Sequence, residues 1–199
     1  SSYSDDAEIL IITLDYSGNL VGSSTIIALT NSLIYVNDVL LESDGYIVTG
    51  KVVRNATTTL CNESNYCSYY TSDIFLLKLD TNENFVWGKI IGKDIVSNYI
   101  PIYCEENTPC GYSPDSSDIL YNENINKIIR INDGYLLIGD LTITNAYPLR
   151  NMELDSFAYL LLGKVDYNGI LKWAKIINFP GYEKSNMSFL TFSDGIKIG

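Results

Sequence analysis

Histidine and glutamine are absent from this chain of 199 residues, and alanine occurs only 6 times. Without histidine, the usual general base, the Ser-His and Cys-His nucleophile pairs and the commonest transition-metal ligand are all missing. Scarce alanine argues against helices, because the residues that replace it do not favour them. Basic residues are few, 13 against 24 acidic, giving a formal charge of −11. That excess would repel a phosphate backbone, so nucleic-acid binding is not expected. No apolar run reaches the roughly 18 residues needed to cross a bilayer, so no membrane span is expected. The opening Ser1–Asp6 lacks the basic region and apolar segment of a signal peptide and reads as a mature chain or a fragment. Phosphate loops, dinucleotide fingerprints, haem attachment motifs and nucleophile elbows are also absent from the sequence.

What is present is β-forming. Isoleucine occurs 25 times, and hydrophobic residues make up 46% of the chain, enough to bury a core. An all-β fold is the expectation. The four cysteines fall into two short pairs, Cys61 with Cys67 and Cys104 with Cys110. Five polar-rich residues lie inside each pair, where zinc sites usually have two to four, so local disulfides are expected. Sequons at Asn55, Asn62 and Asn186 fit the same oxidising, extracellular setting.

An internal repeat organises the chain. Asp44-Gly-Tyr-Ile-Val-Thr-Gly50 returns as Asp133-Gly-Tyr-Leu-Leu-Ile-Gly139 and, shortened, as Asp194-Gly-Ile-Lys-Ile-Gly199. A second signature, Asp73-Ile-Phe-Leu-Leu-Lys-Leu-Asp80 with Asn84-Phe-Val-Trp-Gly-Lys-Ile-Ile-Gly92, returns at 156–166 and 169–177; a degenerate copy stands at 7–22. Each full unit divides into four runs of strand length: 33–41, 45–53, 73–80 and 84–91, then 125–131, 134–141, 156–166 and 170–177. Tight-turn residues separate them. The expected organisation is a half unit at 7–28, a full unit at 33–92, a cysteine-bearing insertion at about 93–122, a full unit at 125–177 and a half unit at 187–199.

Asp-Gly-Tyr, Lys-Leu-Asp and Trp-x-Lys in this order resemble a repeat of secreted and cell-surface β-propellers of bacteria and archaea. The resemblance covers about 7–92 and 125–199, and it implies an all-β propeller or propeller-like array of four-stranded antiparallel blades. It departs from that pattern where Tyr follows Asp-Gly directly, and where Val21-Gly22 replaces the tryptophan. It implies little about ligand, since such folds host unrelated functions.

Asp15-x-Ser17-x-Asn19, Asp80-x-Asn82-x-Asn84 and Asp166-x-Asn168-Gly169 have the look of calcium loops but lack the closing bidentate glutamate, so turn-capping is expected and no metal. Trp87 and Trp173, each followed by a lysine two residues on, are expected to pack between blades. Tyrosine is used 16 times, and Tyr66, Tyr69, Tyr70, Tyr99, Tyr103, Tyr112 and Tyr121 gather about the cysteine loops as a candidate interaction surface. Asp5-Asp6 and Glu105-Glu106 are expected to be solvated. No catalytic residue or cofactor is expected. The functional expectation is a glycosylated, non-enzymatic structural or adhesive surface protein. Its expected partners are copies of itself, further surface protein, or glycans, in a layer or filament. A carbohydrate- or peptide-binding module on the tyrosine face, and a portion of a secreted propeller enzyme, are the alternatives.

Overall fold

A computed structural model describes residues 7–29, 32–58, 67–92, 96–98, 101–105, 108–112, 117–147, 153–178, 189–192 and 195–198. Among these the chain is all-β. None of the described residues forms a helix long and apolar enough to cross a membrane.

Strands β1 (Ala7–Leu14) and β2 (Leu20–Leu29) form an antiparallel hairpin. A four-stranded meander follows, sheet I: β3 (Leu33–Glu42), β4 (Gly45–Thr58), β5 (Cys67–Asp80) and β6 (Phe85–Ile91). Between the meanders lie β7 (Val96–Asn98) and the hairpin of β8 (Pro101–Glu105) with β9 (Thr108–Tyr112). Sheet II repeats the meander with β10 (Ser117–Ile131), β11 (Gly134–Tyr147), β12 (Glu153–Val165) and β13 (Leu171–Ile177). A last hairpin joins β14 (Phe189–Phe192) to β15 (Gly195–Ile198).

Several strands outrun their sequence signatures. The β4–β5 ladder extends beyond the repeat core to Thr58↔Cys67, so Asn55 and Cys67 stand on strands rather than in a loop. Strand β10 begins at Ser117, inside the segment expected as insertion, and pairs from Asp118↔Ala146 onward, with β7 on its other side. Once two strands are in register, each further pair satisfies backbone donors and acceptors, and polar composition does not stop the ladder.

The two meanders meet where β5 and β10 run parallel at Ser72↔Asn122. There Ser72 Oγ donates to the carbonyl of Glu123 at 3.0 Å. Beyond this seam the sheets pack face to face. Ile47, Ile74 and Leu76, on what we term the forward face of sheet I, form one buried cluster with Ile125, Ile128, Tyr135, Leu137, Leu161 and Val165 of sheet II. Intervening residues point the other way: Val48, Phe75, Leu77 and Leu79, on the back face of sheet I, are buried with Ile9, and Ile11 packs against them. The period-two alternation of β5 therefore gives a strand apolar on both sides because it has a sheet on both sides. The same rule joins all three layers: the forward face of one unit rests on the back face of the next. Burying the side chains of one such cluster contributes roughly 1.5–3 kcal/mol per large residue.

Candidate functional site

The repeat signatures form one device in each unit. Gly45 and Gly134 have φ of 140° and 144°, and a Cβ on them would lie 2.0 and 2.1 Å from the carbonyl oxygens of Leu79 and Val165. Glycine is required there by backbone contact and by conformation. The aspartate before each glycine accepts from the lysine of the second signature, Lys78 Nζ to Asp44 and Lys164 Nζ to Asp133, each at 2.6 Å. This ion pair couples the β3–β4 turn to β5, and the β10–β11 turn to β12. Lys78 draws the Asp44 carboxyl below its ordinary pKa.

The aspartate ending each second signature caps a four-residue turn. Asp15 Oδ1 accepts from the backbone of Ser17 and Asn19, Asp80 Oδ1 from Asn82 and Asn84, and Asp166 Oδ1 from Asn168 and Ile170, at 2.8–3.0 Å. The other oxygen takes Asn19 Nδ2, Asn84 Nδ2 or Lys172 Nζ. All three carboxyls are held below the ordinary range, by the side chains of Asn19, Asn84 and Lys172 foremost. Their oxygens thus serve the turn itself. Among the described residues no group of three acidic, Cys or His side chains is arranged to hold a metal ion.

Both first strands carry a bulge that sequence reasoning missed. The register slips between Val36 and Asp38 and between Ile125 and Lys127, leaving Asn37 and Asn126 as the extra residues. The glycine closing the first signature fits beneath the bulge, since a Cβ on Gly50 or Gly139 would lie 1.9 or 1.8 Å from the carbonyl oxygen of Tyr35 or Asn124. Asn37 Nδ2 then crosses to sheet II, donating to Asn124 Oδ1 at 2.6 Å and to the Ile125 carbonyl at 2.8 Å. Beside it Asp38 receives Lys127 Nζ and the Ile128 amide, both at 3.0 Å. The signal was there: both asparagines stand seven residues before an Asp-Gly.

At the turn end of the inter-sheet seam is a polar cleft of about 400 Å³, reached by Glu42, Asp44, Trp87, Arg130 and Tyr167. Glu42, whose side chain is 4% exposed, accepts from Arg130 across the seam, and its other oxygen is buried without a partner. The Arg130 guanidinium lies 5.7 Å from the Tyr167 ring centre, and Tyr167 stands edge-on to Tyr135 at 5.4 Å. Neither Glu42 nor Arg130 follows the repeat, which has Ile131 and Leu41 at those places. The pair therefore belongs to this seam rather than to the unit. A second, apolar cavity of about 470 Å³ opens between the sheets among Ile74, Ile91, Leu141, Leu161 and Ile176.

Trp87 packs against the core cluster between the sheets, and Gly169 lies so close beneath it that a Cβ would meet the indole at 2.7 Å and the Lys89 stem at 2.9 Å. Trp173 does not repeat this burial. It is 38% exposed on sheet II, with Lys175 Nζ 5.7 Å from its ring centre. Tyr70 is exposed near the start of β5, where Tyr69 also stands. The β8–β9 hairpin places Cys104 and Tyr103 on one strand and Cys110 and Tyr112 on the facing one. Cys61, Asn62, Tyr66, Tyr99 and Asn186 lie outside the described residues.

Comparison with protein-family models, with curated proteins and with solved structures found no match.

One surface stands out by comparison within the chain. On the back face of sheet I, Val36 and Val39 are 46% and 55% exposed, although their counterparts in sheet II, Ile125 and Ile128, are 0% and 2% exposed beneath sheet I. Leu10, Ile12 and Leu14, on the back face of the β1–β2 hairpin, are 55–60% exposed where their counterparts Phe75, Leu77 and Leu79 are buried. Together these make an apolar step at one end of the stack.

Proposed function

We propose that this protein is a non-enzymatic extracellular structural or adhesive component of a cell surface, a propeller-like stack of four-stranded units that associates with copies of itself. The observation that carries this reading is the apolar step on the back faces of β1 and β3, built at positions that are buried wherever another unit lies behind them. The repeated residues support it. Aspartates, lysines and glycines that recur between units are engaged in turns and strand junctions, which makes the repeat a scaffold. The cysteine pairs and sequons belong to the same reading, as local disulfides and glycan sites of a surface protein.

Sedimentation velocity tests it. The wild-type chain should form concentration-dependent higher species, and Val39→Lys, which charges the step at a residue 55% exposed, should remain monomeric. A wild type monomeric at all concentrations would refute the proposal. Intact mass after alkylation without reductant should show no modified cysteine.

A second reading, a carbohydrate- or peptide-binding face, is favoured by the exposure of Tyr70 on the extended β4–β5 hairpin. Glycan-array binding lost in Tyr69→Ala and Tyr70→Ala variants would establish it.

A further inference from the structure

Resting on the self-association just proposed, we infer that the step is a slot for two strands, and that its occupant is the β14–β15 hairpin of a second copy, added along the edge of β1.

The slot is defined by what the repeat places there. In sheets I and II the third strand of the unit pairs antiparallel with the second, through Ile47↔Lys78 in one and Leu136↔Lys164 in the other. Strand β1 is a third strand by its sequence, with Ile12-Thr13-Leu14-Asp15 in the place of Leu77-Lys78-Leu79-Asp80. Among the described residues it pairs only with β2, and its other edge carries no strand. By the pattern of sheets I and II, a first and a second strand of that unit would lie beside β1 and over the back face of β3, where Val36 and Val39 are exposed.

The occupant is defined the same way. Phe189–Phe192 and Gly195–Ile198 pair as a hairpin and are a first and a second strand by sequence, with Asp194-Gly195 in the place of Asp44-Gly45. Among the described residues β15 pairs only with β14, and no described strand fills the second edge of β1 or of β15. Aligning β15 on β4 puts Lys197 opposite Thr13 and Ile196 opposite Leu14, the register that Ile47 and Tyr46 have on Lys78 and Leu79. By the same alignment Leu190 takes the position of Leu40, a residue that packs into the inter-sheet core. Strand addition supplies main-chain hydrogen bonds to both edges and covers the apolar step in one event. Because the two surfaces differ, the contact is head to tail, and repetition produces a filament or a ring.

Cysteine trapping decides between partners. Thr13→Cys and Lys197→Cys chains are prepared separately, mixed, oxidised and digested. A 13–197 linked peptide in a covalent dimer that neither variant forms alone is expected. In the double variant, a 13–197 bond found only within monomers would overturn the inference in favour of closure within one chain. Sedimentation of the same mixtures separates the two levels: association without the 13–197 link sinks this inference and leaves self-association standing, whereas absence of association sinks both.

Discussion

The turn that follows each third strand puts its fourth residue in the left-handed region, with φ of 82° at Gly18, 66° at Glu83 and 74° at Gly169. These three positions separate conformational strain from packing. Glu83 is the non-glycine among them, so Glu83→Gly should raise stability by about 1 kcal/mol in denaturant unfolding, despite losing an exposed contact with Thr13. At Gly18 nothing lies within reach of an added Cβ, and Gly18→Ala should cost only about 1 kcal/mol. Gly169→Ala carries the same strain and also meets Trp87, which should add about 1–3 kcal/mol. Equal losses at 18 and 169 would mean that the Trp87 contact does not stabilise the seam.

The same turns set the acid behaviour. Asp15, Asp80 and Asp166 have native pKa values lowered below their unfolded ones. Their contribution is therefore complete above the unfolded value, about 3.9, and is lost as pH falls through the lowered native values. Denaturant midpoints should decline below about pH 4, less steeply in Asp80→Asn. Tyr135 acts at the other extreme, where burial pushes its phenol up to about 12. Stability from keeping it neutral is complete below the unfolded value, about 10, and lost between there and the native one. Tyr135→Phe should flatten the alkaline decline.

At the scale of elements, the strand order within each unit was legible because its markers have local causes. Asp-Gly is fixed by a positive φ and a carbonyl contact, and Lys-x-Asp by an ion pair and a turn cap. The bulges at Asn37 and Asn126 escaped because an extra residue breaks alternation, and the trace it leaves is a single asparagine seven residues before each Asp-Gly. Alternation also could not tell which of two apolar faces meets which neighbour. The Glu42–Arg130 pair was illegible for another reason: it joins residues 88 apart that depart from the repeat. The bulge makes its own prediction. Gly139→Ala would force a Cβ into the Asn124 carbonyl and should destabilise by about 3 kcal/mol or prevent sheet II from forming. Retention of wild-type stability would show that the bulge relaxes freely.

For the whole molecule, the organising fact is directional stacking. Ile9 and Ile11 face Phe75, Leu77 and Leu79, and in turn Ile74 and Leu76 face Leu161 and Val165. At one end of this stack, over the back faces of β1 and β3, an apolar step is exposed. Sequence comparison within the chain gave the expectation of half units at 7–28 and 187–199. Only the pairing pattern showed that these halves form separate two-stranded sheets. Hydrogen exchange of residues 7–14 and 33–42 across a range of protein concentrations tests this account most directly. It predicts that amide protection in both segments rises together with concentration in the wild type and stays low in Val39→Lys. Protection that is independent of concentration in the wild type would contradict it.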